Sequence, residues 1–399
     1  MAWKASRVVL ALLVAAAGSA GCSKNEQPPS AAAAAAAATA AAAVVAQTTE
    51  RQILNVYNWP DYISEDAIQK FEATSGIKVN YTTFSNNDAL ESQLAGAHGE
   101  HDVIFPSARP YAGRMIEKGL LATLDRTRLG GFDAFDANIM ADLAQIDPNN
   151  AHVVPYLWGT SGLGINEDMV KAALGPGVAL DSWNLLFDPA SAQKLSKCGI
   201  GIVDAEQDGF SAALLWKGLD INASDDKALL AVRNAYGAIR PYIRKFSPSS
   251  ELIADLSEGR LCVVLTYSGD VDQANVMAKE VAQATKTKAP LIRYVIPREG
   301  ALRWIDVVAI PGKAKNVENA HRFIRYLMQP EVIADISSAV SYANANTAAT
   351  PLIDKAIAAN PSIYPPPEVQ AKLRVAAQLP VDGAERRRNA WNRIVYGEI

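Results

Sequence analysis

The sequence predicts an α/β fold of two domains. Short apolar strands alternate with helical segments along the chain, the pattern of layered α/β architecture. With an N-terminal leader set aside, 348 residues remain, and at about 100–200 residues per domain that length calls for two. Between them, Tyr156 to Asn166 runs through Gly159, Gly162 and Gly164, a glycine density suited to a chain that crosses from one domain to the other.

The first residues read as an export signal. Lys4 and Arg7 form a basic start, Val8 to Ala17 an apolar stretch too short to span a bilayer, and Ser19-Ala-Gly-Cys22 a small-residue cleavage site. Ending on Cys22 points to a lipoprotein whose cysteine is acylated and becomes the new N-terminus; plain signal-peptidase cleavage is the alternative. The Ala-rich tract from Ala31 to Ala46, behind Pro28-Pro29, reads as a low-complexity tether with neither a polar face nor a core to pack on. No later apolar stretch reaches spanning length. From Gln52 onward the chain carries 34 Lys+Arg and 40 Asp+Glu. Its net charge of about −6 speaks against nucleic acid and is compatible with a cationic ligand. With Cys22 spent on lipid, Cys198 and Cys262 remain, and two cysteines in an oxidising compartment favour pairing.

The elements follow in order. Leu54 to Asn58 is a strand ended by Pro60, whose fixed φ and missing N–H turn the chain outward. Ser64 caps a helix with Glu65 and Asp66 in its first turn, Ile68 and Phe71 on one face and Gly76 as its stop. Ile77, Val79 and Tyr81 alternate with polar residues as a half-buried strand. Asp102 to Ser107 is a further strand ending in a polar loop. In the second half, Gly199 to Asp204, Leu261 to Tyr267 and Arg303 to Pro311 read as strands. Asp226 to Ala238, Val271 to Ala284 and Val317 to Met328 read as helices, the last stopped by Pro330.

Three places pair an aromatic ring with an acid: Trp59/Asp61/Tyr62, Tyr267/Asp270 and Trp304/Asp306. A carboxylate flanked by π-faces suits an organic cation, whereas a single such turn could equally be a strand end with its rings in the core. Asp306 lies between Ile305 and Val307 in an apolar strand, where an acid is rarely tolerated without a partner, either a ligand or a protein cation. Asp270 opens a helix and could also serve as its N-cap. There is no G-x-S-x-G elbow, P-loop, H-E-x-x-H or G-x-G-x-x-G, so catalysis is not expected. His98-Gly-Glu-His101 sits in a Gly-flanked loop without further His or Cys, so neither a metal nor a cofactor is expected.

From Leu54 to the C-terminus the chain resembles the polyamine-binding proteins of bacterial ABC importers, the putrescine-binding branch above all. The stretches that carry the likeness are Tyr57-Asn-Trp-Pro-Asp-Tyr62, Phe84 to Leu94, Asp102 to Ser107, Pro155 to Asn166, Ser268-Gly-Asp270, and Tyr342-Ala-Asn-Ala-Asn346 through Pro351. The resemblance implies a two-lobed periplasmic-binding-protein fold of type II, closing over one ligand between lobes joined by crossover strands. Signal 1–22 and tether 23–51 would precede lobe 1 (52–158 and 303–350) and lobe 2 (159–302 and 351–399). It also implies a Cys198–Cys262 disulfide.

Carried over by position, the ligand set is Trp59, Asp61, Tyr62, Ser107, Asp208, Ser249, Tyr267, Asp270, Trp304, Asp306 and Tyr342. Asp208 stands where the branch has Glu, one methylene longer. Tyr267 replaces a Trp, and Trp304 a Phe, so the larger ring moves to the other wall; Pro60 replaces a Ser that contributes a hydroxyl. After Ala108 the chain is one residue longer than the pattern, and Arg109 either faces the mouth of the site or points to solvent. The function implied is a periplasmic, lipid-anchored, monomeric subunit delivering a putrescine-like diamine to an inner-membrane ABC permease. The same pocket would serve a polyamine-sensing surface lipoprotein, or a variant selective for spermidine or agmatine.

Overall fold

The computed structural model describes residues 52–96 and 100–398; the expected signal with Cys22, the Ala-rich tether and His98 lie outside them. Eleven strands form one mixed sheet: β1 Ile53–Asn58, β2 Lys78–Thr83, β3 Val103–Ile104, β4 Val153–Asn166, β5 Ile200–Val203, β6 Ile243–Ser247, β7 Val263–Tyr267, β8 Ile292–Val295, β9 Ala301–Ala309, β10 Ala343–Asn344 and β11 Leu373–Val375. Their order is β2-β1-β3-β9-β4-β7-β5-β6, with β8 and β10 added on β4 and β11 on β9. The outer runs β2-β1-β3 and β7-β5-β6 are parallel. β4 and β9 form the antiparallel seam between them, in register from Val153/Ala309 to Ser161/Leu302 with a shift between Pro155 and Trp158.

Local sequence accounts for the first βαβ unit. Ser64 Oγ accepts the Ala67 N–H at 3.2 Å, satisfying one of the helix's orphan donors. The helix Glu65–Ser75 turns Ala67 and Phe71 inward and stops at Gly76, which takes the left-handed conformation and bonds back to the Glu72 carbonyl. Most expected elements lie within two residues of the observed ones. One reading is corrected: Pro330 does not merely stop the preceding helix, Val317–Leu327. It occupies the first position of a new one, Pro330–Val340, where its missing N–H would have no intrahelical partner anyway.

Two apolar cores lie along this sheet. The first gathers Leu54 to Trp158 and Ile305 to Ile363; the second gathers Leu163 to Leu302 together with Ala376, Trp391 and Ile394. β4 and β9 each contribute buried side chains to both and carry the chain between the cores, which it crosses once more between Ile363 and Ala376. Ile353 and Ile363, expected with the second lobe, pack into the first core. Polar surface between the cores is where a ligand site can form without opening either one.

Cys198 and Cys262 form a disulfide with their Cα atoms 5.5 Å apart. Cys198 lies two residues before β5 and Cys262 one before its neighbour β7, so the bond ties two paired strands of the second core. Breaking it frees a long loop in the unfolded chain. Replacing both cysteines by serine should cost about 2–4 kcal/mol, read from denaturant unfolding of the two forms; identical midpoints would mean the bond adds nothing.

Candidate ligand-binding site

The site is built on the seam. Asp306, near the middle of β9, is 5 % exposed. Tyr62 OH donates to its Oδ2 at 2.9 Å and Ser107 Oγ to its Oδ1 at 2.6 Å. Ser107 is itself clamped by Asn87, which accepts from its backbone N–H and donates to its hydroxyl, both at 3.0 Å. Asn87 lies in the stretch Phe84–Leu94, but nothing in its own type marks it as a support for an acid.

Asp270 sits against the same wall from the second core. The reading of Asp270 as an N-cap is corrected: the helix runs Ser268–Thr285, Tyr267 holds the cap position, and Asp270 is the third helical residue. Its carboxylate turns instead to Tyr342, whose hydroxyl donates to Oδ1 while accepting the Asp270 N–H at 3.1 Å. Oδ2 is buried and has no hydrogen-bond partner among the described residues. Asp208, in the first turn of the helix Glu206–Trp216, is buried and accepts a short bond from Ser161 Oγ. Ser161 pairs with Tyr267 across β4 and β7. Its contribution escaped sequence reading, which saw only the glycines around it.

The rings form a continuous edge-to-face chain: Tyr62 to Tyr342 at 5.3 Å, Tyr342 to Trp304 at 5.4 Å, and Trp304 to Tyr267 at 5.6 Å. Gly159, opposite Trp304 on β4, makes room for it; a Cβ there would lie 2.5 Å from the indole. Trp59 belongs to an adjoining patch, stacked obliquely on Phe84 at 4.5 Å with its indole N–H donated to the Phe105 carbonyl. Asp61 is exposed at the tip of its turn, in the left-handed conformation, and its charge reaches Asp270. Ser249 opens the helix Ser249–Ser257 and acts on the Asp270 carboxylate. Arg109 does not point to solvent. It is half-buried and donates to the carbonyls of Asp142 and Ala376 and to Gln145, so it reaches across to Ala376 of the second core.

Electrostatics sets this site apart. Burial drives the Asp306 carboxyl up to about 7, against the pull of Ser107 and Tyr62, and the Asp208 charge adds to the rise. Burial likewise raises Asp208 and Asp270 to about 6. Tyr267 is held protonated by burial and by the charges of Asp208, Asp270 and Asp306, so all three acids lie within electrostatic reach of one phenol. No Lys or Arg among the described residues forms an ion pair with any of them. A buried carboxylate without a cation costs several kcal/mol, so each must take up a proton or a positive ligand. No group of three or more His, Cys, Asp or Glu among the described residues is placed to hold a metal.

Comparisons with known proteins show what the chain as a whole is similar to. The family model described as bacterial extracellular solute-binding protein matches residues 66–366. The chain is 39 % identical over 353 residues to the putrescine-binding periplasmic protein SpuD of Pseudomonas aeruginosa, covering 88 % of this chain and 94 % of that one. It is 38 % identical over 351 residues to the putrescine-binding periplasmic protein PotF of Escherichia coli, covering 88 % and 93 %. In fold it resembles the spermidine/putrescine ABC transporter substrate-binding protein PotD of Streptococcus pneumoniae, with a TM-score of 0.68 at 24 % identity over 86 % of this chain and 98 % of that one.

Raised acids make the ligand-free protein sensitive to pH in a definite sense. With folded values of about 6 to 7 against 3.8 for the ordinary carboxyl, the folded state holds protons that the unfolded chain has released. Stability from these groups is therefore present at acidic pH and lost as pH rises through 6 and 7. Between about pH 5 and about pH 8 the ligand-free melting temperature should fall, and Asp306→Asn should flatten the slope. Thermal melts across that range test it; a slope untouched by the substitution would mean Asp306 is ionised throughout.

Proposed function

This chain belongs to the bacterial extracellular solute-binding protein family, and from that premise we propose that it is the extracytoplasmic polyamine-binding component of an ABC importer. It takes putrescine or a similar diamine between its two lobes and delivers it to the permease. The observation that carries this reading is the set of three buried carboxylates that share an aromatic wall and have no protein cation. A diammonium ion supplies two positive charges at a fixed separation, three N–H donors at each end and an apolar stem for the rings between.

In this reading Asp306 and Asp270 bind the two ends of the ligand, with Asp208 helping through a short side chain or an intervening water. Tyr62, Tyr267, Trp304 and Tyr342 enclose the stem, with Trp59 and Asp61 at one rim; Ser107 and Ser249 orient the carboxylates. The tyrosine hydroxyls fill part of each acid's accepting capacity and leave the rest for ammonium groups. Lobe 1 is formed by 52–158 and 303–350, lobe 2 by 159–302 and 351–399 apart from the segment around Ile353–Ile363, and binding draws them together about β4 and β9. The protein acts by binding and delivery rather than by catalysis, as a monomer held at the periplasmic membrane surface by a lipid on Cys22 and the Ala-rich tether.

Calorimetric titration with putrescine, cadaverine, agmatine and spermidine should give saturation by a diamine at roughly micromolar Kd or tighter, about −8 kcal/mol. No heat with any amine, but saturation by a sugar or an anion, would overturn the assignment.

Asp306→Asn keeps the shape of the side chain and removes its charge. Diamine affinity should fall by about 2–5 kcal/mol, while the ligand-free protein at neutral pH melts no earlier than the parent. Full affinity with a lowered melting temperature would instead make Asp306 a structural acid.

A further inference from the structure

We propose that Arg387, on the C-terminal helix Val381–Tyr396, is a positioning residue for the ligand site, acting through the turn that presents Asp208. This rests on the polyamine reading for its ligand and on the following contacts for its mechanism.

The helix that carries Asp208 cannot fix its own start. Ala205 occupies its N-cap and offers no side-chain acceptor, so the first turn lacks the usual internal brace. The brace comes from a helix almost 180 residues away in sequence. Arg387 Nε donates to Glu206 Oε1 at 2.7 Å, and its NH1 donates to the Ile221 carbonyl at 2.9 Å. The guanidinium lies 4.5 Å over the Phe210 ring, and the residue is only 3 % exposed. One turn further along the same helix, Trp391 Nε1 donates to Asp204 Oδ1 at 2.9 Å. The Trp391 indole also covers Gly209 so closely that a Cβ there would lie 2.2 Å from it.

Positions 204, 206, 209 and 210 are thus held from outside, and Asp208 is the ionisable residue between them. Aspartate has two side-chain torsions, so its backbone position decides where the carboxylate falls. Arg387 also pairs with Glu206, whose charge pushes on Asp208. A guanidinium buried this fully serves two acceptors and a ring at once, which lysine cannot imitate.

A double-mutant cycle tests the coupling. Arg387→Met, Asp208→Asn and the pair are titrated with putrescine and with butylamine, which has one ammonium. Arg387→Met should weaken putrescine about tenfold in the parent background and less than about twofold beside Asp208→Asn, with the butylamine affinity nearly unchanged. Equal losses in both backgrounds, or equal losses for both amines, would reduce Arg387 to a residue of general stability and overturn the inference. If the methionine variant fails to fold, Arg387→Lys replaces it in the same cycle with the same criteria. A second arm needs no ligand. Carboxyl-carbon NMR titration of Asp208 should show its midpoint rise when Arg387 is replaced; an unmoved midpoint overturns the inference even if the parent protein binds no diamine, an outcome that would itself refute only the polyamine reading.

Discussion

Three carboxylates buried without a protein cation form the constraint on which the rest of this molecule turns. An isolated acid in an apolar strand is unstable as an anion, and proteins ordinarily resolve it with arginine or lysine. Here the neighbours are hydroxyls and rings: Tyr62 and Ser107 on Asp306, Tyr342 on Asp270, Ser161 on Asp208. Hydroxyls satisfy acceptors without neutralising charge. The site therefore keeps an unspent demand for positive charge, and in the polyamine reading proposed above that demand selects a cation over a sugar or an anion.

Such a site needs walls that do not depend on it for their own stability. The β4/β9 seam meets that need by running through both apolar cores, so Asp306 and Trp304 stand on strands whose other residues are buried for reasons unrelated to any ligand. Asp270 and Asp208 come from the first turns of two helices that follow β7 and β5 in the second core. Acids on separate elements from both sides of one seam can approach or separate as the cores move, which a cluster on a single helix could not do. In the proposed reading closure and charge pairing are one event, because the carboxylates repel until a cation lies between them.

Much of this was legible in the sequence. Strand and helix positions followed from alternation, caps and glycine stops, because those signals are local. Asp306 stood out because an acid between Ile305 and Val307 violates the strand's own pattern, and the ring–acid pairs marked Asp270 and Tyr267. The errors were made at helix starts. Asp270 looked like a cap because Asp commonly is one, but its side chain is drawn to Tyr342, 72 residues away; Pro330 looked like a stop because a proline that ends one helix can open the next. The direction of Arg109 stayed open between the mouth of the site and solvent because what anchors it, the carbonyls of Asp142 and Ala376, is set by tertiary packing. Asn87 and Ser161 were invisible for the same reason, since a lone Asn or Ser announces nothing until the fold sets it beside an acid.

The division of labour among the rings follows from the same electrostatics. A phenol donates a hydrogen bond and offers a face, so Tyr62, Tyr342 and Tyr267 can both hold an acid and cover an alkyl stem; burial, with the charges of the acids adding to it, keeps those phenols protonated and thus donating. Trp304 differs, for its indole N–H is buried without a partner among the described residues and its ring wedges between Tyr267 and Tyr342 over the bare backbone of Gly159. Its part is therefore width: the largest ring lies where β4 has a glycine in place of a side chain. Exchanging it for a smaller ring would widen the enclosure while leaving each carboxylate and its hydroxyl donors in place. In the proposed reading charge selects the class of ligand, and the bulk at Trp304 limits how thick a molecule can lie between the charges.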